Sequence, residues 1–114
     1  MIDALPQRVR EFVVANVDSI GLLEVLLALA AEPRTAFTAE RVSDQLRTSP
    51  MSAHSRLRSL HERGLVEELP DKTFRFASSG ELAETVRAVA QAYRDRRVTV
   101  MTLIYSRSSQ SVRP

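Results

Sequence analysis

The stretch Thr38-Ala-Glu-Arg-Val-Ser-Asp-Gln-Leu46, followed by Arg47-Thr-Ser49-Pro50 and, past Gly64, by Leu65-Val-Glu-Glu-Leu-Pro-Asp-Lys-Thr-Phe-Arg-Phe-Ala77, reads as two short helices joined by a tight turn and then a hairpin. Thr38 is a good N-cap for the first of these helices, with Glu40 in the favourable first turn. Phe37 and Val42 occupy the N′ and N4 positions of a hydrophobic staple. Ser49-Pro50 opens the next helix as N-cap and N1. Gly64 followed by Leu65 is the arrangement expected of a Schellman stop, so this helix spans 50–63. Leu65 to Leu69 and Thr73 to Ala77 can pair across a turn at Pro70-Asp71-Lys72.

Outward from this stretch the chain is helical. Residues 6–17 predict a helix with Pro6 in its first turn and Val9, Phe12, Val13 and Asn16 on one face. Asp18 or Ser19 caps a second helix running to about Glu32. Its leucines and Val25 surround most of its circumference, which places it in the middle of a core. Pro33 stops it, and Arg34 to Phe37 form a short extended link. Ser78-Ser-Gly-Glu81 reads as a capping box opening a long C-terminal helix. Leu82, Val86, Val89, Tyr93, Arg96, Val100 and Leu103 then recur as a heptad seam interrupted by one arginine. Helical to Tyr105, this segment would be about 36 Å long at 1.5 Å per residue. That is too long for one small domain to cover, so it is expected to pack on a second copy of itself. The β-branched run Val98-Thr-Val-Met-Thr could instead be a strand, in which case the helix ends sooner.

The fold class expected is therefore mainly α with a small β-hairpin: a packing helix in 1–18, a helix–turn–helix with hairpin in 19–77, a dimerisation helix in 78–106 and a flexible tail in 107–114. The order is the plan of a winged helix-turn-helix, whose second helix is built to enter the DNA major groove.

Composition bounds the function. The chain has 114 residues, enough for one domain with a modest core. It has no cysteine, which excludes disulfides and thiolate metal sites. The longest apolar stretch, Ile20 to Ala31, contains Glu24 and is too short to span a bilayer. No secretory signal pattern opens the sequence, and a cytoplasmic location is expected. A net charge of +2 does not describe a general polyanion binder. Lys72 is the single lysine among sixteen basic residues. Arginine suits bidentate contacts to phosphate and guanine, but a GC-rich genome would produce the same bias.

On a helical wheel, Ala53, Leu57 and Leu60 of the 50–63 helix point to the core. Met51, Ser55, Arg58 and Glu62 lie opposite, flanked by Ser52, His54 and Ser59. Small side chains let a helix sit deep in a groove while an arginine or histidine reaches base edges or phosphates. An ordinary solvated face would look much the same. The segment Leu46-Arg-Thr-Ser-Pro-Met-Ser-Ala-His-Ser-Arg-Leu-Arg-Ser-Leu-His-Glu-Arg-Gly-Leu-Val66 resembles the recognition-helix segment of MarR-like and related bacterial winged-helix regulators. Leu57, Leu60, Gly64, Leu65 and Val66 supply the shared pattern, and the resemblance covers about residues 20–77. It implies a homodimeric transcriptional regulator that binds double-stranded DNA through the 50–63 helix.

On that reading Arg58, His54, Ser55 and Ser52 approach bases. Thr38, Arg47, Ser49 and Arg56 hold phosphate, with Lys72 and Arg75 at the wing. Leu82, Val86, Val89, Tyr93, Val100 and Leu103 make the dimer contact. The wing departs from the family pattern, because Glu67, Glu68 and Asp71 outnumber its two basic residues and acidic groups are repelled by the duplex. Pairing of Glu67 and Glu68 with Arg63 at the hairpin base would leave Lys72 and Arg75 to approach DNA. The rival function is a winged-helix module that recruits a protein partner, since such folds also serve protein–protein contact.

Catalysis, a metal and a cofactor are not expected. His54 and His61 stand two turns apart with no third ligand and match no zinc signature. The three glycines are isolated, so there is no phosphate loop. The serines near the histidines sit in a helix without the strained turn a nucleophile needs.

Overall fold

A computed structural model describes residues 5–77 and 79–111, with the side chains of 107–111 left aside. The elements are α1 (Gln7–Asn16), α2 (Ile20–Ala31), α3 (Ala39–Leu46), α4 (Pro50–Glu62), β1 (Val66–Glu68), β2 (Phe74–Phe76), α5 (Gly80–Asp95) and α6 (Arg97–Ser111). The chain is thus mainly helical with one two-stranded antiparallel sheet. It divides into two compact units, one drawn from 1–20 and 80–114 and the other from 21–79. Among the described residues no single helix is long and apolar enough to cross a membrane.

In the 21–79 unit, local chemistry sets the ends of the helices. The Thr38 hydroxyl accepts from the Arg41 N–H at 3.0 Å, and the Ser49 hydroxyl from the Ser52 N–H at 3.0 Å. Each satisfies an amide that the helix start would otherwise leave orphaned. At the far end of α4, Gly64 N–H donates to the His61 carbonyl at 2.9 Å and Leu65 N–H to the Leu60 carbonyl at 3.0 Å. These are the two bonds of a Schellman motif. Gly64 has φ +76° with open space where a Cβ would stand, so only backbone conformation demands glycine there.

α3 packs on α4, and α4 on β1. Leu57 and Leu60 are fully buried, as are Leu23, Leu26 and Leu29 of α2. β1 and β2 pair in the register Val66↔Phe76, Glu67↔Arg75 and Glu68↔Phe74. The link before α3 joins the sheet. Phe37 N–H donates to the Phe74 carbonyl at 2.7 Å, and Phe74 N–H to the Phe37 carbonyl at 2.9 Å. This anchors the entry to α3 on the hairpin, a contact the extended link did not disclose. Phe37 and Val42 are both buried, as a hydrophobic staple requires.

In the other unit α1 packs against both α5 and α6, which also pack on each other. The continuous helix over 82–105 is corrected here: the segment breaks at Arg96 into α5 and α6, and 98–105 is helix rather than strand. The Arg96 N–H ends one helix on the Ala92 carbonyl, and the Arg96 carbonyl starts the next by accepting from Val100 N–H. The break changes the fate of the seam. Val86, Val89 and Val100 are fully buried within the single chain, Tyr93 and Leu103 are half-buried, and Leu82 is 38% exposed. An apolar seam too long for one copy to cover is therefore not what these residues form. The tail expected from 107 is corrected over 107–111, where α6 continues to Ser111. The cap expected at Ser78 falls outside the described residues.

Candidate nucleic-acid interface

The candidate surface is the side of α4 turned away from Ala53, Leu57 and Leu60, together with the α3–α4 turn and the hairpin tip. Met51 is 83% exposed, and His54 and Ser55 are exposed beside it. His54 touches the Phe74 ring edge-on, with ring centroids 6.1 Å apart, so its position is braced by the sheet.

Several residues expected at this surface have other duties. Thr38 and Ser49 are helix caps, and the Ser49 hydroxyl also donates to the Ser52 hydroxyl at 3.0 Å. Arg56 is half-buried, its guanidinium lying over the start of α2 so closely that a Cβ on Gly21 would come within 2.5 Å of Arg56 Cζ. Glycine at 21 leaves room for that guanidinium. Arg58, read from the wheel as outward-facing, instead donates to Glu68 Oε1 at 2.7 Å.

The register explains that pair. Glu68 shares a face of β1 with buried Val66, two residues earlier, and so meets α4. Glu67, on the opposite face, takes its direct cross-strand partner Arg75, at 2.9 Å from Nε and 2.8 Å from Nη2. Arg75 is thus not left to approach a duplex alone. Arg63 donates to the Ser59 carbonyl and hydroxyl. Period-2 counting from Val66 was the signal that could have foretold the Glu68 direction.

Two exposed basic residues bracket α4. Arg47 closes α3 with φ +58°, and Lys72 sits at the hairpin tip with φ +69°. They are the two non-glycine residues with positive φ among those described. Each costs on the order of 1 kcal/mol or more relative to an unstrained residue. Asp71, beside Lys72, accepts from the Thr73 hydroxyl at 2.6 Å and the Thr73 N–H at 3.2 Å. The Thr73 hydroxyl first, then its N–H, hold the Asp71 carboxyl below its ordinary value. Among the described residues no three His, Asp or Glu side chains gather into a metal-binding group, and His61 Nδ1 lies 3.2 Å from the Val66 carbonyl.

No protein-family model, curated protein or solved structure matches the chain. What this surface can do chemically is specific. It offers an exposed helix with small and apolar side chains, basic residues at both flanking turns, and two arginines neutralised by the adjacent strand.

Proposed function

We propose that the chain is a sequence-specific, DNA-binding transcriptional regulator of the winged helix-turn-helix kind, resembling MarR-like regulators, that works as a homodimer in the bacterial cytoplasm. α3 crosses the backbone, α4 enters the major groove and the β1–β2 hairpin is the wing. The observation that carries this reading is the packed α3–α4 pair, joined by a short turn, with Met51, His54 and Ser55 exposed on one side of α4. Arg47 and Lys72 take phosphate at the two turns, and Arg56 and Arg58 are drawn on only when the duplex competes for them. Catalysis has no part in it.

The homodimer needs a surface other than the buried valines. Val98, 75% exposed, and Tyr105, 60% exposed, stand two turns apart on one side of α6 and are the residues we assign to the second copy. A two-fold dimer would set its two α4 helices about 34 Å apart, or a multiple of that.

A second reading, a module that recruits a protein partner, is favoured by one observation: Glu67 and Glu68 neutralise the wing-side arginines. A titration of the full chain against pooled genomic fragments, including DNA upstream of its own gene, separates the two. DNA binding through about four phosphates is expected to weaken by about 10²-fold when salt rises from about 50 to 200 mM, because each contact releases counterions. Selective, salt-sensitive binding supports the regulator; a folded protein that ignores every fragment at low salt supports the protein partner.

A further inference from the structure

We propose that Met51 is a specificity-determining residue that reads the C5-methyl group of a pyrimidine in the major groove. The inference rests on the placement of α4 in that groove. Met51 lies in the first turn of α4, and residues near a recognition helix's start are those that meet base edges. It is the most exposed large apolar side chain among the described residues, at 83%.

Three polar side chains around it, Ser49, Ser52 and Arg58, already have partners, and Arg56 is turned toward α2. The Ser49 hydroxyl caps the helix by accepting from the Ser52 N–H and donates to the Ser52 hydroxyl. The Arg56 guanidinium lies against Gly21, and that of Arg58 on Glu68. What the leading turn extends is therefore a thioether, a flexible group that adapts its shape to an apolar partner.

On the major-groove edge of a base pair the apolar group is the pyrimidine C5-methyl, as thymine carries it. 5-Methylcytosine presents the same methyl, so the two sources share one chemistry. Arginine-led readout would select guanine through N7 and O6. A methionine-led turn selects a methylated pyrimidine instead, with His54 and Ser55, one turn further on, left to hydrogen-bond the neighbouring bases.

The test selects binding sites for the full chain from random-sequence duplexes. The selected site is then remade in two series, one with single thymines replaced by deoxyuridine and one with single cytosines replaced by 5-methylcytosine. Deoxyuridine removes only the methyl. At one position per half-site it is expected to weaken binding about fourfold, the worth of one buried methyl. Met51→Ala, an exposed change that leaves the core untouched, should bring that ratio to about one. If no thymine matters but 5-methylcytosine tightens binding at one position, and Met51→Ala abolishes the gain, the methyl belongs to 5-methylcytosine. A selected site whose affinity follows neither substitution overturns the role of Met51 while leaving DNA binding in place. Failure to select any site overturns both.

Discussion

Phe37→Ala is expected to cost about 3–5 kcal/mol, the range for removing a fully buried phenylalanine and leaving a cavity behind. Phe37 is 0% exposed. Its ring carries the Arg41 guanidinium at 4.4 Å, its backbone exchanges two hydrogen bonds with Phe74, and it precedes the Thr38 cap as the staple partner of Val42. The alanine keeps the backbone bonds and loses the rest, so the ordering of the α3 entry is weakened along with the core. A small domain has about 5–15 kcal/mol of stability in all, so this loss removes a large fraction of it. Urea unfolding followed by circular dichroism measures it. Phe37→Leu, which nearly conserves volume, should cost under about 1.5 kcal/mol. A Phe37→Ala variant within 1 kcal/mol of the parent would mean that Phe37 does not pack as described.

Arg58→Ala is expected to lower DNA affinity by about 10²-fold, more than the loss of one phosphate or base contact alone. Removing the guanidinium has two consequences. It deletes a cation, and it leaves the Glu68 carboxylate unneutralised beside the duplex, where it is repelled. The pair is partly exposed, with side chains 43% and 30% accessible, so its contribution to folding is only about 0.2–1 kcal/mol and the variant stays folded. Glu68→Gln should act in the opposite direction. It frees Arg58 without changing the size of the side chain, and affinity is expected to rise several-fold with a steeper salt dependence. The double variant Arg58→Ala, Glu68→Gln should recover part of the loss, so the two changes are not additive. Anisotropy titration of all four proteins on one duplex completes the cycle. If Arg58→Ala and Glu68→Gln leave affinity unchanged, the β1 face of α4 takes no part in binding.

The parts of this fold legible in the sequence are those written in local backbone chemistry. Ser49-Pro50 and Gly64-Leu65 mark α4 because a cap, a fixed φ and a left-handed glycine are properties of a few adjacent residues. α2 was legible because an apolar residue on nearly every side permits only burial. The break at Arg96 was signalled only by that arginine's interruption of the apolar seam, since neither proline nor glycine marks it and the heptad spacing continues across it. The chain turns there so that α6 can pack on α1 and α5, a tertiary gain that no window of sequence contains.

The candidate site divides in the same way. Exposure of Met51, His54 and Ser55 followed from the α4 wheel. The directions of Arg56 and Arg58 did not, because they depend on what stands opposite: Gly21 of α2 for one, Glu68 of β1 for the other. A long side chain on the edge of a wheel has freedom to choose either face, and only its partners decide.

If α4 lies in the major groove, a cutting group carried on its exposed side must reach the DNA strands. The chain contains no cysteine, so Ser55→Cys supplies a unique thiol on the exposed side of α4 for attachment of an iron chelate that cuts nearby DNA strands. Cuts confined to the middle of each half-site are expected if α4 lies in the groove. DNA held selectively by the labelled protein but left uncut by the chelate at position 55 of α4 would contradict that placement.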